Sequence, residues 1–298
     1  MYRTLADTDS PLREMAARFG VDGRLVGVVT LPESRVDPSL DAQSYPPDAA
    51  SDRADRAGVV FLNAGLIHRV GPNRVYVRMA RLLAGHGLGS VRFDLSGVGD
   101  SPAGNDPDVL RRWVAETRSV MDHLERQLGV TRFILVGNCS GAGLAFLTAR
   151  QDPRVHAAAL VNPQPQRNTR YYLRLARSHP NFWRRLSRGR SRYALAVGRI
   201  TRRGIPYNAD AAGSADRDLH ALLGRGCRIL LVSCEWDASF DGFYRPLQRQ
   251  ANRGELEGMD LALVPGANHD FSTVASQDRL VEAVCGWVTT VAGIAAPD

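Results

Sequence analysis

Lysine is absent from this chain, and all 38 basic residues are arginine. The absence excludes two kinds of site, a lysine that forms a Schiff base with its substrate and the phosphate-binding lysine of a P-loop. With 31 acidic residues, the arginines leave a formal net charge of +7. Because arginine replaces lysine throughout, as a GC-rich coding sequence would cause, this composition does not by itself indicate a partner.

Cysteine is scarce, and the four that occur have no C-x-x-C pair or regular spacing: Cys139, Cys227, Cys234 and Cys285. Four cysteines are too few for disulfide bonds to be the main support of a chain of 298 residues. No HExxH motif or Cys/His cluster indicates a metal. We therefore expect a protein of the reducing cytoplasm, without a metal and without a cofactor.

Long apolar runs are missing as well. The most apolar stretches, residues 59–67 and 285–296, fall short of the ~18 residues that a membrane span needs. The first 13 residues are polar and do not resemble a secretory signal. A content of 44% hydrophobic and 23% charged residues is typical of a globular chain, so we expect an independently folding protein without a membrane span.

Short apolar runs alternate with amphipathic segments from residue 58 onwards, which predicts an α/β fold with a mostly parallel sheet covered by helices. Strands are predicted at residues 58–63, 90–94, 132–137, 155–161, 228–233 and 260–265, and helices at 73–87, 107–128, 140–150, 243–252 and 277–292. Before them we predict a helix at 11–19, a strand at 23–31 and a loop rich in Pro, Ser and Asp. The predicted domains are an N-terminal unit at 1–57, an α/β core at 58–164 and 224–298, and an Arg-rich helical lid at 165–223.

The strongest motif is Gly137-Asn138-Cys139-Ser140-Gly141, which lies between a predicted strand and a predicted helix. It fits the nucleophile elbow, G-x-Nu-x-G, in which the residues two before and two after the nucleophile must be small. Cys139 has glycine at both offsets, whereas Ser140 would have Asn138 and Ala142. The spacing therefore favours Cys139 as the nucleophile over a buried structural cysteine.

An elbow nucleophile needs a base and an acid, in the chain order nucleophile, acid, histidine. His269 follows the last predicted strand, and Asp237 follows the strand before it, with Glu235 as a reserve acid. The oxyanion hole is predicted to combine the backbone N–H of Ser140 with that of Gly65 or Leu66. We expect substrate contacts from Asn63, His68, Asn138, Tyr171 and Trp183.

These motifs resemble the α/β-hydrolase superfamily over residues 58–292. The segments 69–74 (RVGPNR) and 92–101 (RFDLSGVGDS) are similar to those of the hydrolases found beside exosortase systems. Most relatives have serine at the elbow. A cysteine there is similar to dienelactone-hydrolase-like enzymes, so the resemblance still implies an active enzyme with a Cys-His-Asp triad.

The segment 165–205 has twelve arginines and no acidic residue, interleaved with Tyr171, Tyr172, Phe182, Trp183 and Tyr193. It is either a solvated face or a docking surface for an acidic acyl carrier protein or for the phosphates of CoA. A nucleic-acid partner is disfavoured because a catalytic elbow would lie under the same lid.

Three functions follow from the sequence. The first is acyl transfer, by a hydrolase, thioesterase or acyltransferase that acts on an ester, lactone or thioester, in biosynthesis of a natural product. The second is a lyase or cyclase of the same fold in which His269 is a general base for elimination on an acylated intermediate. The third is a binding protein that has lost catalysis.

Overall fold

The computed structural model describes residues 12–32, 57–163, 212–237 and 239–294, with only the backbone described for 212–215. Its strands are β1 (Leu12–Phe19), β2 (Leu25–Pro32), β3 (Ala57–Leu62), β4 (Ser90–Phe93), β5 (Arg132–Asn138), β6 (Val155–Val161), β7 (Arg228–Cys234) and β8 (Met259–Val264). The described helices are α1 (Val75–Gly85), α2 (Val109–Leu128), α3 (Ser140–Gln151), α4 (Ala212–Gly224), α5 (Arg245–Ala251) and α6 (Val274–Val291). A 3₁₀ turn at Pro72–Arg74 precedes α1, and a π turn at Phe240–Tyr244 leads into α5.

The eight described strands form one sheet in the order β1-β2-β4-β3-β5-β6-β7-β8. β1 pairs antiparallel with β2, and β2 antiparallel with β4, whereas every pair from β4 to β8 is parallel. In a parallel sheet the carboxyl ends of the strands meet at one edge, so the loops after β3, β5, β6, β7 and β8 converge there. The predicted mostly parallel sheet covered by helices is confirmed.

Both faces of the sheet are covered, as the apolar sequence of β5 requires. Phe133 and Leu135 pack into the core under α2 and α3, and Ile134 and Val136 pack into the core under α1 and α6. A strand buried on both faces reads as a continuous apolar run, which is why residues 132–137 predicted this strand correctly. None of the described helices has the length and apolar character that crossing a membrane requires.

The predicted helix at 11–19 is wrong, because this segment is strand β1. Its residues have good helix propensity, but they alternate in burial: Ala17 and Phe19 pack against the core, whereas Ala16 and Arg18 are exposed. The segment pairs with β2 along its full length, from Leu12 opposite Pro32 to Phe19 opposite Leu25. Tertiary pairing overrides propensity here.

The remaining predicted strands and helices within the described ranges are confirmed, with shifted ends. α2 begins at Val109 because the Asp108 side chain accepts a hydrogen bond from the Arg111 N–H, and α6 begins at Val274 because Thr273 caps it. The predicted loop between β2 and β3 and the lid segment up to residue 211 lie outside the described residues. The last part of the predicted lid, residues 212–223, belongs to helix α4.

The side chain of Tyr76, from α1, lies between the ends of β3 and β5. Leu62 and Gly137 are the last paired residues of these strands. The Tyr76 hydroxyl accepts a hydrogen bond at 2.9 Å from the N–H of Asn138, the residue after Gly137. The same hydroxyl donates to the Leu62 carbonyl at 3.0 Å. Burial raises the pKa of Tyr76, so the phenol keeps the proton that it donates.

Candidate active site

The turn from β5 into α3 places Cys139 at the carboxyl edge of the sheet. Its backbone has φ 58° and ψ −117°, a conformation that few residues other than glycine adopt. A Cβ on Gly137 would lie 2.1 Å from the Gly141 carbonyl oxygen, and one on Gly141 would lie 2.7 Å from the Asn63 carbonyl oxygen. The two glycines therefore allow the strand and helix to approach closely, and the half-buried Cys139 stands at the apex of the turn.

The loops after β7 and β8 bring Asp237 and His269 together. His269 Nδ1 lies 2.7 Å from Asp237 Oδ2, and the second carboxylate oxygen of Asp237 accepts from the Ser239 N–H at 2.8 Å. Because Nδ1 faces Asp237, Nε2 is the nitrogen left for the hydrogen bond between His269 and Cys139. Glu235 is directed elsewhere and accepts from the Gly266 N–H at 2.8 Å.

The environment of His269 favours its protonated form. Burial lowers its pKa, but the hydrogen bonds to Asp237 and Cys139 outweigh burial and raise the pKa of His269 to about 10. Burial likewise raises the pKa of Asp237, and the hydrogen bond from His269 outweighs it, so the carboxyl pKa is lowered overall. A strongly basic imidazole beside an ionised carboxylate is suited to accept the Cys139 proton.

Asn162, which the sequence analysis did not single out, joins the loops of the acid and the histidine. Its Nδ2 donates to the His269 carbonyl at 3.3 Å and to Cys234 Sγ at 3.1 Å. Its Oδ1 accepts from the Cys234 N–H at 2.9 Å and from the Ser239 hydroxyl at 3.4 Å. The residue is fully buried and has φ 42°, a left-handed conformation that asparagine tolerates. Its position directly after β6 was the available signal.

Side-chain amides also hold the two carbonyls that follow His269. Asn73 Nδ2 donates to the Asp270 carbonyl at 2.6 Å and to the Phe271 carbonyl at 3.2 Å. Gln277 Nε2 adds a bond to the Phe271 carbonyl at 2.9 Å. Together with Asn162, these amides hold three successive carbonyls, so the backbone of the histidine loop is fixed from three elements of the fold.

The predicted oxyanion donors lie on the two sides of the elbow. Ser140 is the first residue of α3, so its N–H has no intrahelical partner. In the loop after β3, the Gly65 N–H donates to the Ser140 hydroxyl oxygen at 2.8 Å. The Leu66 N–H has no partner among the described residues. Of the two predicted loop donors, the Gly65 N–H is therefore already hydrogen-bonded, and the Leu66 N–H is the one left to bind a substrate oxygen.

The predicted substrate contacts differ in where the structure places them. Asn63 is buried, and its amide donates to Ile67 O at 3.0 Å and Asp94 Oδ1 at 3.3 Å and accepts from the Leu95 N–H at 2.9 Å. These contacts lie within the protein, so they position Asn63 under the loop after β3.

The other predicted contacts are spread from the core to the surface. Asn138 is buried at the end of β5, and its side-chain oxygen has no hydrogen-bond partner within the described ranges. His68 is exposed. Tyr171 and Trp183 lie outside the described residues.

Large apolar side chains are exposed on loops of the same edge. Leu66, after β3, is 68% exposed and Trp236, after β7, is 64% exposed. Over the described ranges, no group of three or more His, Cys, Asp or Glu side chains is placed to hold a metal ion. Cys139, His269 and Asp237 are the candidate reactive side chains at this edge.

Comparison with known proteins agrees with this architecture. The family model described as the alpha/beta hydrolase fold matches residues 58–201. A comparison with curated proteins finds no significant match.

Three solved structures illustrate the similarity of fold. The proline iminopeptidase of Mycobacterium smegmatis is 16% identical, with a TM-score of 0.57 over 94% of this chain and 99% of that chain. An esterase of Pyrococcus furiosus is 11% identical, with a TM-score of 0.59 over 97% and 94% of the two chains. A dienelactone hydrolase of Anabaena variabilis is 13% identical, with a TM-score of 0.51 over 94% and 98%.

At such identities the similarity concerns the fold. The strand order, the elbow between β5 and α3, the family match and these neighbours lead to one conclusion: the chain has the fold of the α/β-hydrolase superfamily.

Proposed function

We propose that this chain is a hydrolase that cleaves activated esters, lactones or thioesters through a covalent intermediate on Cys139. The observation that carries the proposal is the double contact of His269, which is hydrogen-bonded to Asp237 on one side and to Cys139 on the other. Nucleophile, base and orienting acid in contact are the requirement for covalent catalysis. The esterase and dienelactone hydrolase names of two fold neighbours agree with this class.

The reaction follows from the order of these contacts. His269 Nε2 takes the Cys139 proton, and the thiolate attacks the carbonyl carbon. The resulting oxyanion is stabilised by backbone N–H groups at the elbow. When the adduct collapses, the C–O or C–S bond breaks and the leaving group takes the proton from His269. A water molecule, deprotonated by His269, then attacks the thioester, so that the acid is released and Cys139 is regenerated.

The cysteine narrows the substrate class. A thiolate, whose conjugate acid has a pKa of ~8.5, leaves a tetrahedral adduct far more readily than an amide nitrogen does. Amide cleavage is therefore disfavoured, because it requires prior protonation of the nitrogen, whereas an ester, lactone or thioester adduct proceeds readily to the acyl-enzyme. The thioester so formed can also be intercepted by an amine, alcohol or thiol, so acyl transfer to a biosynthetic acceptor is part of the proposal.

The test is a rapid-mixing experiment with p-nitrophenyl acetate, followed by intact mass measurement of the protein. We expect a burst of p-nitrophenol and one acetyl group on the wild-type protein, and neither with Cys139→Ala. The matched control is Cys227→Ala, which removes a buried cysteine from a different part of the core and should keep the burst. Burst and acetylation in Cys139→Ala would exclude Cys139 as the nucleophile. Turnover of an acylated substrate by Cys139→Ala without acetylation would favour the lyase, with His269 as general base.

The arginine-rich segment 165–205 lies wholly outside the described residues, and its composition suggests the form in which the acyl group reaches the enzyme. We propose an acidic acyl carrier protein or CoA as the carrier, because twelve arginines without an acidic residue attract an anionic partner. Raising the salt concentration from ~0.1 M to ~1 M shortens the Debye length from ~10 Å to ~3 Å. The KM for a carrier-bound substrate should rise steeply, and the KM for a neutral ester should hardly change. Arg184→Glu with Arg185→Glu should reproduce the effect at low salt, and equal responses of both substrates would show that the arginines only face solvent.

A further inference from the structure

The side chain of Ser140 makes a contact that the geometry of a nucleophile elbow does not require. Its hydroxyl oxygen accepts the Gly65 N–H at 2.8 Å, a contact between residues 75 positions apart in the sequence. This bond connects the start of α3 with the loop after β3. These are the two places from which the proposed oxyanion hole draws its backbone donors.

The contact uses the Ser140 oxygen as an acceptor and leaves its proton free. A hydroxyl can donate one hydrogen bond while it accepts another. Among the described residues, the Ser140 O–H has no acceptor. The Gly65 N–H polarises the hydroxyl and makes it a better donor, because hydrogen bonds in a chain strengthen one another.

The surroundings of this free proton favour an anionic acceptor. Ser140 begins the 12-residue helix α3, whose amino end carries a partial positive charge. Within the part of the chain that the structure describes, neither the N–H of the same residue nor the Leu66 N–H on the facing loop has an acceptor. Three donors on the two sides of the elbow, of which one is a side chain, are therefore without an acceptor among the described residues.

We propose that the Ser140 hydroxyl is a catalytic residue, a third oxyanion donor beside the N–H groups of Ser140 and Leu66. The Gly65 N–H then acts through the hydroxyl and not on the substrate. This proposal rests on the covalent mechanism proposed for Cys139. It differs from a simple nucleophile elbow, in which the residue after the nucleophile contributes only its backbone.

The alternative is that the hydroxyl fills the oxyanion hole and must leave it before a substrate binds. The two possibilities predict opposite effects of Ser140→Ala. Loss of a donor slows acylation, whereas loss of an obstruction leaves acylation unchanged or speeds it up. The direction of the change therefore decides between them.

The experiment measures the acylation of Cys139 by p-nitrophenyl acetate in the burst phase. Removal of one oxyanion donor costs up to ~10²–10³ in rate in a well-organised site. We expect Ser140→Ala to slow acylation about 10- to 100-fold with a KM within about threefold of wild type. Ser140→Thr keeps the hydroxyl and should recover most of the rate. Ser272→Ala, an exposed serine of the histidine loop, is the control and should behave as wild type.

A second measurement separates an oxyanion contact from a general loss of structure. A thionoester replaces the carbonyl oxygen by sulfur, which accepts hydrogen bonds poorly, so a good oxyanion hole favours the oxygen ester. Ser140→Ala should reduce the ratio of oxygen-ester to thionoester acylation about tenfold, whereas a structural defect would slow both substrates equally. An unchanged ratio, or acylation at or above the wild-type rate, would overturn the proposal. Absence of any burst in the wild-type protein would overturn the proposed function, and this inference with it.

Discussion

The start of β6, at the amino edge of the sheet, and the histidine loop, at the carboxyl edge, are held by different kinds of polar contact. At the amino edge, Arg154 precedes β6 and pairs with Asp152 at 2.7 Å, with Asp122 at 2.8 Å and with Glu125. At the carboxyl edge, neutral amides of Asn73, Asn162 and Gln277 hold the histidine loop by its carbonyls.

The difference has a physical reason. An arginine beside His269 would disfavour the imidazolium, and a carboxylate would compete with Asp237 for it. A neutral amide fixes the backbone without changing the charge balance of the triad. Charge pairing therefore stabilises the start of β6, whereas neutral amides position the histidine loop.

The largest effect is expected from removing the charged partner of Cys139. His269→Ala should lower kcat/KM for p-nitrophenyl acetate by about a thousandfold, the usual range for a general base. The physical reason is tested by the pH dependence of the alkylation of Cys139 by iodoacetamide. With a His269 pKa of about 10, the wild-type imidazole is protonated at pH 7 and stabilises the Cys139 thiolate. A free thiol with a pKa of ~8.5 is only ~3% ionised at pH 7.

Alkylation of Cys139 at pH 7 should thus be about 30 times slower in His269→Ala. At pH 10, where a free thiol is mostly ionised, the two proteins should react at similar rates. Measurement by mass spectrometry of the peptide containing Cys139 separates it from the three buried cysteines. Equal rates at pH 7 would contradict an ion pair at this edge.

A change at the amino edge should affect stability and not catalysis. Arg154→Met leaves the Asp152 carboxylate, whose side chain is 3% exposed, without its main partner. We expect the free energy of unfolding to fall by ~3 kcal/mol, with kcat/KM near wild type. The control is Arg228→Met, which breaks an exposed pair with Asp260 and should cost less than ~1 kcal/mol.

The pH dependence of this effect has a definite sign. Burial raises the pKa of Asp152, but the hydrogen bond from Arg154 outweighs burial and lowers the pKa overall. A lowered carboxyl pKa contributes stability above the unfolded value of ~3.9, and this contribution is lost as the pH falls through the lower folded value. Denaturant titrations should therefore show the gap between wild type and Arg154→Met narrowing below about pH 4. A gap that stays constant to pH 2 would assign the loss to packing.

The smallest effect on catalysis is expected from removing the side-chain amide of Asn162. Asn162→Ala removes the bonds to the His269 carbonyl and the Cys234 N–H, and should lower kcat about tenfold with little change in KM. Because the site has φ 42°, Asn162→Gly is the matched variant: it relieves the backbone and still lacks the amide. Both variants should lose kcat alike. Asn268→Ala, in the same loop, should stay within threefold of wild type, and recovery of kcat in Asn162→Gly would attribute the defect to backbone strain.

Much of this arrangement follows from the sequence because it depends on local rules. The apolar run of β5 and the glycines at 137 and 141 predict a strand, an elbow and a helix without any knowledge of distant residues. The order of Cys139, Asp237 and His269 then predicts the candidate triad, whose contacts the structure provides. The N-terminal strand could not be predicted, because its helix propensity is overridden by pairing with β2.

The contacts of Asn162 and Ser140 could not be predicted for a related reason. Both depend on partners that are many positions away in the sequence, 107 residues for the bond from Asn162 to His269 and 75 for that from Gly65 to Ser140. No spacing rule connects such pairs. Their positions, directly after β6 and after the nucleophile, indicated only the edge on which they lie.

The phenol of Tyr76 between β3 and β5 has a consequence for how this fold can change. Strand β5, which leads to Cys139, and strand β3, which leads to Gly65, are bridged at their ends by one oxygen atom, which contacts the Asn138 N–H and the Leu62 carbonyl. Loops at the edge can lengthen, shorten or exchange side chains without altering this bridge, because it lies inside the core. The loops at the rim can therefore change in sequence while the distance between the proposed nucleophile and the loop after β3 stays the same.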